Sequence, residues 1–251
     1  MSNKSPLITV MQTAYTKINK RIFRDFGEIE NLQGRDMKLE IFFNKTYEFI
    51  YNNIKDYLSH CRPEWGFLIS KNLENKRDTF YWILDPLSGK ENFKRSIPIF
   101  SISISVMYNS EVIASSVYDP LRNEFFFAEK GKGAFLNDHR IRVSNRNNLN
   151  NCILSLQINE PKSEQEKFFL KKDIPIKSFR FINSSNTSLS WVCSGKFDCF
   201  IGVNLNNLFV KSSKLLLREA GGFYLETNLN NDSVFICANP IIHKKIIKIL
   251  N

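Results

Sequence analysis

The sequence lacks several features that would assign it to a class at once. Its 251 residues contain no apolar run approaching the roughly 20 residues of a membrane span, and residues 1–6 lack the apolar core of a secretory signal. The chain also contains no P-loop, no Gly-x-Gly-x-x-Gly and no Cys/His cluster with metal-site spacing. We therefore expect a globular protein of the cytoplasm that has no membrane partner.

Cysteine and histidine give no sign of a catalytic or structural site. Five cysteines are scattered along the chain, at Cys61, Cys152, Cys193, Cys199 and Cys237. An odd number without regular spacing predicts reduced, buried thiols rather than a disulfide framework. None of the three histidines lies in a nucleophile motif, so the sequence does not support Ser-His-Asp or Cys-His catalysis.

Positive charge is in excess. The chain has 35 Lys and Arg against 25 Asp and Glu, a formal net charge of +10. Such a balance attracts anions in general, including phosphorylated metabolites, RNA and acidic protein surfaces. The basic residues are dispersed rather than blocked, which is equally typical of charge spread over solvated faces. The charge alone does not identify a partner.

Apolar periodicity predicts an opening of two helices followed by alternating elements. Helices are expected over residues 5–28 and about 38–59, where apolar residues recur at helical spacing. Strands are expected at 66–70, 80–84, 100–106, 112–118 and 124–128, the last three forming an antiparallel meander. The second half predicts strands at 152–156, 179–182, 198–201 and 234–237, and helices at 164–170, 188–194, 208–220 and 240–250. Helices flanking mixed sheets indicate a layered α/β or α+β fold.

One stretch, residues 80–93, carries the clearest candidate site. An aromatic and β-branched run ends at Asp85, and Pro86 follows, which cannot donate to a sheet ladder. Ser88 and Gly89 then predict a turn, and the segment after Lys90 could open a helix. A carboxylate at the end of a strand, beside free backbone N–H groups, is typical of metal and phosphate sites in α/β proteins.

This stretch resembles the Asp-Pro-Leu-Asp-Gly-Thr-Thr-Asn-Phe signature of the inositol monophosphatase family. Further segments resemble the bacterial branch of that family called SuhB, namely Arg24-Asp-Phe-Gly-Glu-Ile-Glu-Asn-Leu-Gln33, Arg62-Pro-Glu-Trp-Gly-Phe-Leu68, Ala128-Glu-Lys-Gly-Lys-Gly-Ala-Phe-Leu-Asn137 and Arg218-Glu-Ala-Gly-Gly222. The resemblance runs from about residue 6 to the C-terminus. It implies one αβαβα sandwich over residues 1–251, with subdomains of about 1–145 and 146–251, usually built as a homodimer.

The resemblance also implies a metal site whose ligands are largely replaced here. Active family members hold Mg²⁺ with clustered carboxylates, because Mg²⁺ prefers hard oxygen ligands. The first signature Asp and the Leu that lends its carbonyl are kept, as Asp85 and Leu87, but the second Asp is Ser88. The family's other acidic positions align with residues that are not carboxylates. The upstream Asp is Tyr47, the Glu-Glu pair is Ser70 and Lys71, the metal-binding Asp is Phe209, and the substrate-binding Glu falls on Gly202. We expect these positions to be vestigial, with no catalytic residue, no metal ligand and no cofactor.

Lys90 replaces the Thr of the family turn, and two interpretations remain open for it. It could bind an anion together with Ser88 and Gly89, in place of the metal. Alternatively it pairs with Asp85 or Glu91, or points to solvent. Asp85 itself could now serve only to cap the end of its strand.

The sequence leaves several functions open. The favoured one is a catalytically inactive family member that acts by binding, since SuhB-like proteins are associated with transcription antitermination and ribosomal RNA maturation. Its partners would then be the transcription machinery or RNA. The alternatives are an Mg²⁺-dependent phosphatase for inositol phosphates or related esters, a metal-free binding protein for a small phosphorylated ligand, and a protein losing its function. The phosphatase requires replacement carboxylates, for which Glu64, Glu74 and Glu91 are candidates.

Overall fold

The structure, a computed structural model, describes residues 4–68, 78–159, 175–229 and 232–250. Its helices are α1 Pro6–Ile29, α2 Asp36–Cys61, α3 Lys90–Lys94, α4 Ser185–Cys193, α5 Asn207–Glu219 and α6 Pro240–Leu250. Its strands are β1 Gly66–Leu68, β2 Phe80–Ser88, β3 Ser101–Tyr108, β4 Glu111–Asp119, β5 Glu124–Glu129, β6 Gly133–Leu136, β7 His139–Ile141, β8 Ile153–Ile158, β9 Ser178–Arg180, β10 Cys199–Val203, β11 Phe223–Leu229 and β12 Asp232–Ala238.

The two opening helices agree closely with the sequence prediction. The side chain of Ser5 caps α1 by accepting a hydrogen bond from the backbone N–H of Ile8 at 3.3 Å, and Pro6 opens the helix without losing a needed donor. The apolar stripes of both helices are buried against the first sheet. Burial of these stripes, rather than helix propensity alone, stabilises the pair.

The first sheet has the order β1-β2-β3-β4-β5-β6-β7 in the described part of the chain. β1 pairs with β2 in parallel, and the remaining neighbours are antiparallel. The predicted meander of β3, β4 and β5 is confirmed. The sequence prediction missed β6 and β7, which continue it, because they are only four and three residues long.

The prediction that β2 ends at Asp85 is wrong. The strand runs on to Ser88, and its register against β3 shifts between Asp85 and Ser88. Pro86 has no N–H for a ladder bond, but it is tolerated at such an irregularity. The next N–H, that of Leu87, turns to the Asp85 side chain at 3.3 Å instead of to the neighbouring strand.

The second sheet has the order β11-β12-β10-β8-β9. β8 pairs in parallel with β10 and with β9, and the other pairs are antiparallel. The sequence prediction missed β11, whose residues are mostly partly exposed and carry little apolar signal. The helix predicted at 164–170 lies outside the described residues.

Three apolar cores define five layers. α1 and α2 pack on one face of the first sheet, α4 and α5 fill the space between the sheets, and α6 covers the outer face of the second sheet. The αβαβα sandwich expected from the sequence is therefore confirmed. The connection at residues 142–148 joins the two sheets and contains the border at 145 and 146 expected between the subdomains. Among the described helices, none is long and apolar enough to cross a membrane.

Candidate functional site

A cleft of about 620 Å³ opens where β2 ends and α3 begins. Its lining brings together residues that lie far apart in the sequence, including Tyr47 from α2, Asp85 and Ser88 from β2, Lys90 from α3 and Phe209 from α5. Leu87 and Gly89 line it too. The structure thus gathers in one cleft the described residues that the sequence analysis assigned to the family site, with the exception of Gly202. Ser70 and Lys71 lie outside the described residues.

Asp85 lies in the cleft wall and is held by hydrogen bonds. Its Oδ2 accepts from Nδ2 of Asn186 at 2.9 Å, and its Oδ1 accepts from the backbone N–H of Leu87 at 3.3 Å. Burial raises the pKa of the Asp85 carboxyl above its ordinary value, although the Leu87 N–H, the charge of Lys90 and the Asn186 amide act in the opposite direction. The neighbouring groups therefore only partly offset the loss of water around this carboxylate.

Ser88 belongs to a buried hydroxyl network rather than standing free at the cleft. Its Oγ accepts from the backbone N–H of Asn186 at 3.3 Å, and its carbonyl accepts from Oγ of Ser184 at 3.2 Å. The hydroxyl of Thr187 links Ser184 at 2.9 Å to Ser101 at 3.0 Å. This network joins the end of β2 to the first turn of α4, so it fixes the cleft wall.

Sequence reasoning missed Asn186 and Ser184. The helix was predicted to begin at residue 188, whereas α4 begins at Ser185. The run Asn183-Ser-Ser-Asn-Thr-Ser188 consists of residue types that favour helix N-termini, and it directly precedes apolar Leu189. That run was the signal for an earlier helix start.

Lys90 adopts an arrangement that the sequence analysis did not anticipate. Its Nζ lies 4.5 Å from the centroid of the Tyr47 ring, a cation–π contact, while the side chain stays exposed. Within the described residues Lys90 forms no ion pair with Asp85 or with Glu91. The Glu91 carboxylate instead contacts Lys94 at 3.3 Å. Burial, and after it the charge of Asp85, raises the pKa of Tyr47 to about 12.

The helix that Lys90 opens was predicted, but it has only five residues. Gly89 precedes it with φ +95°, and a Cβ at this position would lie 2.7 Å from the carbonyl oxygen of Ile99. The turn therefore requires glycine. A helix this short contributes little dipole to an anion site, so the charge at this end of the cleft comes from Lys90.

Phe209 places an aromatic ring where the resemblance implies a metal-binding Asp. It lines the cleft, and it packs against the apolar core between the two sheets. Gly202 lies elsewhere, beside a separate hollow of about 260 Å³, and a Cβ there would collide with Leu205. A side chain at the position matched to the family's substrate-binding Glu would therefore require Leu205 to move.

The described donor set does not fit a pair of divalent metal ions. Among the described residues two carboxylates line the cleft, those of Asp85 and Glu91, and Glu91 is paired with Lys94. Glu64 is exposed in the turn after α2 and does not line the cleft, and Glu74 lies outside the described residues. Across the described chain there is no group of three or more His, Cys, Asp or Glu side chains that could hold a metal ion. One Mg²⁺ can be held by one or two carboxylates together with waters and phosphate, but a pair of ions needs the clustered carboxylates that the described cleft does not have.

Comparison with known proteins agrees with the fold and the motifs. The model of the inositol monophosphatase family matches residues 4–251. The chain is 30% identical to an inositol-1-monophosphatase of Mesorhizobium japonicum over 260 residues, covering 98% of this chain and 96% of the relative. It is 34% identical to Nus factor SuhB of Buchnera aphidicola subsp. Schizaphis graminum over 200 residues, covering 76% and 72%.

A solved structure of a SuhB protein has the same fold. The extragenic suppressor protein SuhB of Bartonella henselae superposes with a TM-score of 0.84 at 28% identity, covering 98% of this chain and 99% of that one. Sequence, fold and motif order thus agree over almost the whole length of the chain. This protein belongs to the inositol monophosphatase family.

Proposed function

We propose that this protein is a catalytically silent member of its family that acts in the cytoplasm by binding other molecules. The observation that carries the proposal is that the side chains at the family's metal positions in the cleft are engaged by other parts of the protein. Asp85 is engaged by Asn186, Ser88 by the hydroxyl network, and Phe209 by the apolar core. Metal-dependent phosphate hydrolysis in this family needs clustered carboxylates, and the described cleft offers too few of them.

The names of the relatives support a binding role without deciding it. Three further relatives are also named Nus factor SuhB, from Xylella fastidiosa, Pasteurella multocida and another Buchnera aphidicola subspecies, at 27–31% identity. A Nus-type role in transcription antitermination needs an intact surface rather than a working metal site. We propose the transcription machinery or RNA as the partner. The five cysteines are all free thiols, which agrees with a cytoplasmic location.

Hydrolysis of inositol monophosphate is the second candidate, and the relatives named inositol-1-monophosphatase favour it. The match with the Mesorhizobium japonicum protein covers 98% of this chain. Such an activity would require metal ligands from residues 69–77 or 160–174, which lie outside the described part of the chain.

Two further proposals concern the cleft and the assembly. Lys90, together with the turn at Ser88 and Gly89, would attract a small phosphorylated ligand without metal, because the ammonium is exposed at the cleft. We also propose a homodimer, as the family resemblance implies. Sedimentation velocity tests the second point, and a chain that stays monomeric at micromolar concentration contradicts it.

The deciding experiment is phosphate release from inositol monophosphate across Mg²⁺ and Mn²⁺ concentrations. We expect no turnover above the buffer rate, and the same result for Asp85→Asn. Thermal unfolding with each metal is the second readout. A metal ion that binds the folded chain, supplied at a free concentration of 100 times its Kd, would raise the free energy of unfolding by about 2.7 kcal/mol. This corresponds to a rise in Tm of roughly 5–11 °C for a chain of this size. Metal-dependent turnover that is lost in Asp85→Asn would refute the proposal.

A further inference from the structure

In the described part of the second half, the acidic side chains lie outside the outermost helix. Each of the four carboxylates in the described residues from 142 onward has a partner in another element or is buried. Asp198 and Asp232 are buried, Glu219 accepts from the backbone N–H groups of Gly131 and Gly133 at 2.8 and 2.7 Å, and Glu226 pairs with Lys214 of α5. The outermost layer, α6, contains no acidic residue at all.

The orientation of α6 is fixed by its apolar side. Ile242, Ile246 and Leu250 are at most 5% exposed and pack against the outer face of the second sheet. Lys244, Lys245 and Lys248 are therefore left on the solvent side, where they are exposed. Lys244 and Lys248 are about one helical turn, or roughly 6 Å, apart along the axis. Helix α6 thus presents a row of lysines to solvent.

The loop before β8 extends this row. Lys245 donates from Nζ to the carbonyl of Asn147 at 2.5 Å, and Asn239, just before α6, donates to the carbonyl of Arg146 at 2.9 Å. These contacts place Arg146 beside the start of α6. We define the basic face as Arg146, Lys244, Lys245 and Lys248. Arg146 is paired with Asp198 at 3.0 Å, so the three lysines supply the net charge of the face.

Exposed amides and one aromatic ring complete the surface. The loop beside Arg146 is rich in exposed asparagines, namely Asn145, Asn147, Asn148 and Asn150. Amide side chains donate and accept hydrogen bonds, which suits phosphate, sugar and ribose 2′-OH groups. Phe223 is 55% exposed and lies beside His243 of α6, with ring centroids 6.1 Å apart. An exposed ring next to a basic row is a platform on which an unpaired base can stack.

We propose that the basic face binds the backbone of single-stranded RNA. A membrane surface fits less well, because the apolar side of α6 is already used in the core and cannot insert into lipid. A protein partner also fits less well, since lysine is depleted at the centre of protein interfaces. Repeated phosphates match a row of lysines that have no carboxylate partner among the described residues, and the 2′-OH matches the asparagine amides.

This inference deepens the proposed binding role and rests on it, but it concerns a different layer of the fold from the cleft. Hydrolysis at the cleft would refute the silent-cleft proposal and leave RNA binding untouched. Failure of the basic face to bind RNA would refute the RNA proposal and leave the silent-cleft proposal untouched. The two failures therefore have separate readouts.

The test is fluorescence anisotropy of a labelled single-stranded RNA of mixed sequence, titrated with the full chain at several salt concentrations. We expect log Kobs to fall with log salt at a slope near −2, since about three lysines each contribute roughly −0.7 on a single strand. The double variant Lys244→Glu/Lys248→Glu should weaken binding by about tenfold or more. Both side chains are exposed, so the variant should fold normally, and circular dichroism checks this.

The matched control is Lys38→Glu/Lys45→Glu on α2, which changes the net charge equally at two exposed lysines. We expect the control to change affinity by less than threefold. Equal weakening by both variants would show that only net charge matters and would overturn the proposal. No binding of RNA, equal affinity for DNA of the same sequence, or binding to anionic vesicles in place of RNA would overturn it as well.

Discussion

The hydrogen bond between Asn186 and Asp85 allows a direct test of the role of Asp85. Asn186 is 2% exposed, and its Nδ2 lies 2.9 Å from Asp85 Oδ2 and 3.3 Å from Ser103 Oγ. A hydrogen bond to a charged group contributes about 1.5–3 kcal/mol net. We therefore expect Asn186→Ala to lower the free energy of unfolding by about 2 kcal/mol, and Tm by roughly 4–8 °C.

A double-mutant cycle with Asp85→Ala separates a structural role from a metal-binding one. Once the carboxylate is gone, Asn186 no longer stabilises a charge, so its removal should cost less. We expect a coupling energy of about 1–2 kcal/mol. The measurement is urea unfolding of the four proteins, followed by circular dichroism, once with EDTA and once with millimolar Mg²⁺. The coupling should be the same in both solutions.

The control for the cycle is Ser190→Ala. Its hydroxyl is also buried on α4 and donates to the carbonyl of Asn186 at 2.8 Å, but it does not contact Asp85. This change should cost about 1 kcal/mol and add to Asp85→Ala without coupling. Additivity of Asn186→Ala and Asp85→Ala within about 0.5 kcal/mol would refute the reasoning, as would coupling that appears only with Mg²⁺.

Three further predictions concern other parts of the fold, and urea unfolding checks each. Burial lowers the pKa of His243 from its ordinary 6.5, so the unfolded chain binds a proton at this side chain more readily than the folded chain. The free energy of unfolding should therefore fall as pH falls through 6.5. His243→Leu should weaken this pH dependence. Asp25 is fully buried and accepts a hydrogen bond from Thr46 at 2.8 Å, which links α1 to α2. Asp25→Ala should lower the free energy of unfolding by about 3 kcal/mol, and a loss below roughly 1 kcal/mol would contradict this. Gly89→Ala should cost about 2–3 kcal/mol, and more than Gly131→Ala, because Gly131 also has positive φ but open space around it.

Much of the fold could be predicted because its elements carry strong periodic patterns. Helices α1, α2 and α6 bury one regular stripe each, and β3, β4 and β5 are long runs separated by clear turns. The missed strands lack such signals. β7 has three residues, and β11 is only partly buried along its length. Short or half-exposed strands are formed by pairing with neighbours, which a local pattern does not contain.

The candidate site could be predicted only in part, for a similar reason. Asp85, Ser88 and Phe209 were found through family motifs. Asn186 and Ser184 were not, since they act on β2 from about a hundred residues further along the chain. Their side chains are short, polar and buried, and such groups carry no periodic signal. The position of Lys90 over Tyr47 likewise depends on how α2 packs against the turn.

The described residues at the family's site positions in the cleft, whether kept or replaced, are compatible with one another. Lys90 contacts the ring of Tyr47, Asp85 is held by Asn186, and Phe209 is packed in the core. Each of these positions has a partner within the protein, so the cleft wall does not depend on a metal ion to offset clustered negative charge. We therefore expect the outer layers, including α6, to fold without a metal ion in this cleft. The proposed role in surface binding needs only a folded chain, and the exposed lysines of α6 supply a surface suited to it.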